Sequence, residues 1–420
     1  MLLQFEKCLK RINIFLKLIG LTLDSADSNR TMVQRLRRHW KCSVHMLSHD
    51  IAVFGETIWL IIGLVLGATL WEITYLLPCL TLCLLGNFKV YYFIRHLQHV
   101  NEAVRILRNL QSNGKHNEEI EREMNNWLTF LSSVTKLLLT LTILGVLAFA
   151  LGPFLITGSY YYSTGEIKLV LPFLIWYPFD EFDIRIWPVV YLHQLWAGKC
   201  LLLFIRENII LISIEPWVCV FSVYGPDCFF FTCCTFIHIQ FRILQDNLKE
   251  IVKVDARNRP DVTTDTFKAE LVQLVNDHRE LIRCVNLLEI TYSRSTLFNV
   301  VTSSLIICAT GFNLMVIENL ALMAPFTSFL TFGLLQVFFY CYYGDYVMRS
   351  SIGVGDAVYN SRWYETGALE RKYLLIVLLR SQKPCRLSAY GFTDINLTAF
   401  TRILSTSWSY FALLRQMYHK

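Results

Sequence analysis

Few residues in this sequence have the types and spacing that a chemical site would need. Cys234 and His238 lie four residues apart, so a helix would present a thiolate and an imidazole on one face as metal ligands. No two further ligands of suitable type and spacing accompany them, so we expect no metal site. The sequence also lacks a phosphate-binding GxxxxGK(S/T) loop, a GxSxG nucleophile elbow and an HExxH zinc motif. We therefore predict that the chain is not an enzyme and holds no cofactor.

Three other polar residues lie in the first long apolar run. His49, Asp50 and Glu56 fall on related faces of a helix, and each would be costly in a lipid interior without a partner. Such residues either pair between helices or line a path for ions. We expect interhelical pairing rather than conduction at this position.

The elements that position these residues follow from composition. The chain has 420 residues, of which 54% are hydrophobic and only 17% are charged, which is more apolar side chain than one soluble core requires. A bilayer core needs about 20 residues of helix. Helix-length apolar runs lie near 45–66, 70–94, 131–157, 187–241, 284–317, 324–348 and 395–417. The fold class is therefore predicted to be all-α, a polytopic protein with seven transmembrane helices in a lipid bilayer.

The distribution of Lys and Arg predicts the orientation. Nine basic residues precede the first run, and the segments 95–130 and 242–283 are also basic. The segments that would lie on the other side, together with the tail, carry only four: Lys168, Arg185, Arg415 and Lys420. Because basic loops stay in the cytoplasm, we predict a cytoplasmic N-terminus and an extracellular C-terminus.

The same rule makes the long run 187–241 a single crossing, since two crossings would place the basic loop 242–283 outside. Its extra residues, within about 198–224, include Arg206 and Glu207 in an apolar setting. We interpret this segment as an insertion or a gene-model artefact. The N-terminal segment 1–44 begins with an amphipathic helix that we expect to lie on the cytoplasmic membrane surface.

Aromatic residues predict a ligand site. The segment 158–188 is too apolar to be a free loop on the extracellular side, and we expect it to roof a pocket for a small hydrophobic ligand. An interfacial aromatic belt is the alternative. The candidate pocket residues are aromatic and lie at similar depth in the outer halves of their spans: Tyr75, Phe149, Tyr191, Phe326 and Phe332.

Several motifs resemble those of the insect odorant receptors. They are LPF at 171–173, WYPFD at 176–180, CYYGD at 341–345, DAVYNSRWY at 356–364 and the tail 393–416. The resemblance implies a ligand-tuning subunit of a cation channel in the plasma membrane of sensory neurons. The implied partners are a small hydrophobic odorant and an odorant receptor co-receptor in a heterotetramer, with no nucleic acid. The loop 242–283 lacks the long insertion of a co-receptor.

The resemblance also implies residue roles. The segment 341–392 would be a cytoplasmic anchor for assembly, following the six spans within 45–340. Its matching residues are Asp356, Tyr359, Trp363 and Tyr364. The last helix, within 393–420, would line the pore with Leu413 as the hydrophobic constriction and Gln416 one turn further on.

Two alternatives come from other classes of receptor. A gustatory receptor of the same superfamily would share the topology and a Tyr–(x)5–Gln tail, which Tyr410 and Gln416 satisfy. The motifs at 176–180 and 356–364 favour the olfactory branch. A G-protein-coupled receptor would have the opposite orientation and an Asn-Pro-x-x-Tyr motif, which this sequence lacks.

Overall fold

The computed structural model describes residues 2–19, 21, 23, 40–112, 118–167, 169–195, 215–252, 264–317 and 320–418. Over these ranges nearly every residue is helical, and one isolated β-bridge joins Ser388 to Asp394. The all-α prediction is therefore confirmed. The α-helices are α1 Leu2–Leu18, α2 Trp40–Leu66, α3 Leu70–Arg95, α4 Leu97–Ser112, α5 Glu118–Thr164, α6 Trp187–Leu195, α7 Glu215–Lys249, α8 Thr264–Val316, α9 Leu320–Tyr359, α10 Ala368–Ser381 and α11 Leu397–Tyr418.

Six helices in the described part of the chain are long and apolar enough to cross a membrane, namely α2, α3, α5, α7, α8 and α9. The seventh predicted crossing corresponds to α11. Its 22 residues would span about 33 Å at 1.5 Å per residue, but Arg402 and Arg415 make it less apolar. The helix positions thus agree with a bundle of six to seven apolar helices.

Several helices extend well past their apolar runs. The 47 residues of α5, the 53 of α8 and the 40 of α9 correspond to about 70, 80 and 60 Å. A bilayer core is only about 30 Å thick. Much of the segment 242–283, which was predicted as a loop, is helical, because α7 continues to Lys249 and α8 begins at Thr264. These helices therefore continue the bundle beyond the length that a bilayer core can hold.

Helix α7 lies at the centre of the bundle and contacts α1, α3, α5, α8 and α9. Residues 220–241 of this helix are all buried by protein. The described residues of the run 187–241 belong to the nine-residue α6 and to the long helix α7. Residues 196–214, including Arg206 and Glu207, lie outside the described residues, so the interpretation of 198–224 as an insertion stays a prediction.

The apolar face of helix α1 packs against protein, and the expected position of this helix on the cytoplasmic membrane surface stays a prediction. Its apolar side chains Leu9 and Leu16 are fully covered, and Phe5 stacks edge-on against Phe236 of α7 with ring centroids 4.7 Å apart. Near its other end, Phe15 contacts Tyr224 at 4.9 Å. The two helices therefore run antiparallel, and the apolar face of α1 belongs to the core.

Polar side chains connect the helices near α3. The Asn87 amide of α3 donates to Asp50 of α2 at 2.9 Å, which confirms interhelical pairing for Asp50. At the start of α3, Thr74 donates to Asn313 of α8 at 2.9 Å, and the Asn313 amide returns a bond to the Thr74 carbonyl at 2.6 Å. These bonds fix the position of α3 between its neighbours.

Candidate functional site

The described residues enclose an apolar cavity of about 70 Å³ between α3, α5 and α9. Almost all of its surface is hydrocarbon or sulfur, so it suits a small hydrophobic molecule with few hydrogen-bonding groups. Its lining residues are Cys79 and Cys83 of α3, Leu141, Thr142, Gly145, Val146 and Phe149 of α5, Phe173 of the following loop, and Ser328, Phe329 and Phe332 of α9.

One residue of the aromatic loop, Phe173, contributes to the lining of this cavity. The Phe173 ring stacks on Phe149 with centroids 5.6 Å apart and planes 12° apart. Two hydrogen bonds fix the Phe173 backbone to the side-chain amide of buried Gln194, at 3.0 and 3.1 Å. A further bond joins the Trp176 amide to the Gly55 carbonyl of α2 at 3.3 Å. The loop is shorter than 158–188, because α5 continues to Thr164 and α6 begins at Trp187.

Four of the five candidate pocket residues form one cluster. Phe149 and Phe332 line the cavity directly. Phe326 lies beside them, with its ring 6.1 Å from Phe149, and Tyr75 contacts Phe326 at 5.2 Å. Tyr75 and Phe326 therefore form a second layer behind the cavity wall.

Tyr191 lies elsewhere. Its ring contacts Phe154 at 4.3 Å and Trp187 at 4.9 Å, in a separate aromatic cluster between α5 and α6. The structure does not bring it to the cavity. Sequence reasoning placed it by depth alone, and depth does not determine which face of a short helix a residue occupies.

Several cavity residues were missed because they are small. Cys79 and Cys83 occupy successive turns of α3, and Gly145 of α5 faces Ser328 of α9. Small residues admit a ligand because they leave space, but composition gives no signal that distinguishes them from ordinary packing residues.

The two candidate pore residues lie on the outward face of α11. Ala399, Ile403 and Ser407 recur at four-residue spacing and are buried against α8 and α9. Leu413 is 56% exposed and Gln416 is also exposed. This face has no partner among the described residues of the single chain.

The four anchor candidates lie around the end of α9. Asp356 and Tyr359 are exposed on its last turn, and the short 3-10 helix Trp363–Glu365 follows directly. Trp363 and Tyr364 are both exposed, with ring centroids 6.1 Å apart. The site therefore presents aromatic side chains to the surface of the monomer.

The described residues contain no group of three metal-ligating side chains. His238, the imidazole of the Cys234 pair, packs between Trp127 at 4.5 Å and Tyr346 at 5.5 Å. Its environment is aromatic, and its ring is part of the packing between α5, α7 and α9.

These features define a class of protein: a multi-pass helical membrane protein with an apolar cavity and a last helix that is exposed on one face. A family model described as 7tm Odorant receptor matches residues 70–206 and 208–408. This covers most of the sequence, and the chain belongs to that family. The match favours the olfactory reading over the gustatory alternative.

Individual relatives agree with this assignment. Odorant receptor 85c of Drosophila melanogaster is 24% identical over 99% of this chain and 100% of its own length. Odorant receptor 22c of the same organism is 27% identical over 78% of this chain and 77% of its own. The solved structure of the insect olfactory receptor OR5 from Machilis hrabei has a TM-score of 0.78 and 17% identity, covering 99% of both chains. At that identity the likeness concerns the fold.

Proposed function

We propose that this chain is a ligand-binding odorant receptor subunit and that a small volatile or lipophilic odorant occupies the cavity between α3, α5 and α9. The observation that carries the proposal is the cavity itself, which is roofed by Phe173 and lined almost entirely by apolar atoms. The OR5 receptor of similar fold has been solved in complex with eugenol, a small aromatic compound. A ligand of that size and polarity suits walls of Phe, Val, Leu and Cys.

The proposed channel is a heterotetramer of this subunit with an odorant receptor co-receptor. The exposed aromatic side chains of Tyr359, Trp363 and Tyr364 support an assembly role, because exposed rings of this kind are enriched at protein interfaces. Asp356 on the same turn of α9 adds a charge at the rim. The conducting path would follow the outward face of α11, where Leu413 closes the pore by dewetting and Gln416 contacts the passing cation.

The proposed orientation places the N-terminus in the cytoplasm and the C-terminus outside, in the plasma membrane of sensory neurons. The basic extramembrane ends of α4, α7 and α8 would then lie on the cytoplasmic side, as the positive-inside rule requires. An epitope tag at residue 1 should stain only after cells are permeabilised. Staining of intact cells would contradict this orientation.

The function is tested by recording currents from cells that express this chain together with a co-receptor while a panel of volatiles is applied. We expect ligand-dependent cation currents that cells expressing the co-receptor alone do not show. If the subunit reaches the cell surface with its co-receptor and no volatile of any chemical class changes the current, the proposed function is wrong.

A further inference from the structure

A buried ion pair lies close to the cavity, six residues after the lining residue Cys83 on α3. The Lys89 ammonium of α3 is 2.6 Å from the Asp227 carboxylate of α7, and the two side chains are only 1% and 4% exposed. Lys89 interrupts the apolar sequence of α3 and Asp227 interrupts that of α7. Neither residue contributes to the cavity lining.

The Asp227 carboxylate also binds α9. Its Oδ1 atom accepts a hydrogen bond from the Tyr340 hydroxyl at 2.6 Å, and its Oδ2 atom accepts one from the Gln336 amide at 2.6 Å. The Lys89 ammonium lies 5.0 Å from the centre of the Tyr340 ring. One carboxylate therefore connects α3, α7 and α9 through three interactions in a buried environment, where each is strong.

The cluster formed by Lys89, Asp227, Gln336 and Tyr340 lies close to the cavity along both α3 and α9. Gln336 follows the lining residue Phe332 by four residues, which is one helical turn, and Lys89 follows Cys83 by six, which is about 9 Å. Helix α3 and helix α9 form two walls of the cavity, and both are joined to Asp227 within about two helical turns of the lining residues. Helix α7, which carries Asp227, supplies none of the lining residues.

We propose that Asp227 is a positioning residue that sets the separation of α3 and α9 and thereby the size of ligand that the cavity accepts. The inference rests on the proposed function, since it assumes that the cavity binds the ligand. A buried ion pair adds little stability compared with apolar packing of the same volume, but it requires a fixed geometry of its partners. Here that fixed geometry determines the distance between two walls.

The test is a series of aliphatic ligands of one functional group and increasing chain length, applied to cells expressing the subunit with a co-receptor. Asp227→Asn and Tyr340→Phe weaken the connection to α9, and we expect potency to move toward longer ligands, with roughly tenfold loss for the best wild-type ligand. Tyr340→Phe keeps the ion pair and is the milder change. The matched control is Tyr224→Phe, which removes a hydroxyl bond from α7 to the Thr135 carbonyl of α5 at 2.9 Å and leaves Asp227 intact.

A purely structural role would lower surface expression and the maximal current for all ligands equally, without changing their rank order. The double inversion Lys89→Asp with Asp227→Lys restores an ion pair between α3 and α7 but removes the carboxylate that accepts from Tyr340 and Gln336, so it should not restore the wild-type rank order. The inference is overturned if the rank order is unchanged in Asp227→Asn and Tyr340→Phe while the wild type responds. It is also overturned if no variant, the double inversion included, reaches the surface. A wild type that responds to no ligand would instead refute the proposed function, and the inference with it.

Discussion

Gly145 of α5 faces Ser328 of α9 so closely that a Cβ atom at position 145 would lie 2.9 Å from the Ser328 Oγ atom. The Ser328 hydroxyl donates to the Leu141 carbonyl at 2.9 Å, one turn earlier on α5. Both Gly145 and Ser328 line the cavity. The α5 and α9 walls of the cavity therefore touch at this point, where only the Ser328 side chain separates their backbones.

This contact predicts the effect of adding one methyl group. Gly145→Ala should reduce the free volume of the cavity, because the added Cβ atom occupies part of it and meets the Ser328 Oγ atom inside normal contact distance. We expect odorant potency to fall by about tenfold, most strongly for the bulkiest ligands. The control is Gly158→Ala on the same helix, where an added Cβ atom meets no atom within 4 Å and dose–response curves should not move. If the dose–response curves of Gly145→Ala and Gly158→Ala are equal, the odorant does not bind in this cavity.

The aromatic lining predicts which rings the ligand contacts. Replacing Phe149 or Phe332 with Leu should shift the dose–response curve while preserving surface expression, because Leu keeps the position apolar and removes only the ring. Tyr191→Leu should have a smaller effect, since Tyr191 lies in the cluster with Phe154 and Trp187. A larger shift for Tyr191 than for Phe332 would move the site toward α6.

The outward face of α11 predicts changes in conduction. Leu413→Ala should raise the current in the absence of ligand, because a smaller side chain at a hydrophobic constriction makes wetting easier. Changes at Gln416 should alter relative ion permeability. Leu414→Ala serves as the control, since Leu414 is a half-buried neighbour on a different face of the helix. If Leu413 and Leu414 variants that reach the surface have the same basal current as the wild type, α11 does not line the path.

The exposed anchor predicts an assembly defect. Trp363→Ala and Tyr364→Ala should reduce the amount of co-receptor that co-purifies with this subunit, because interface energy is concentrated in buried aromatic residues. We expect the helical content of the subunit to be unchanged, since both side chains are exposed in the monomer. Tyr162→Ala is the control, as Tyr162 is 94% exposed near the far end of α5. Normal co-purification of both anchor variants would refute the assembly role.

The helices could be predicted from sequence because each apolar run is a local signal. The partners of the buried polar residues could not be predicted from sequence, because pairing depends on residues that are far apart in the chain. Asp50 was expected to pair, but nothing local identifies Asn87 as its partner. Lys89 and Asp227 are separated by 138 residues, and their ion pair exists only because α3 and α7 are neighbours in the bundle. The apolar face of α1 gave the same kind of ambiguity, since it fits a lipid surface and a protein core equally well.

The antiparallel packing of α1 on α7 has a consequence for biosynthesis. Phe5 is translated among the first residues, whereas its partner Phe236 leaves the ribosome more than halfway through the 420-residue chain. At about 5–20 residues per second, the interval is on the order of ten to fifty seconds. During that time the apolar face of α1 has no protein to cover it, and the membrane surface is the nearest apolar phase. The apolar face of α1 would thus rest on the bilayer in the nascent chain and turn to the bundle only when α7 has been inserted.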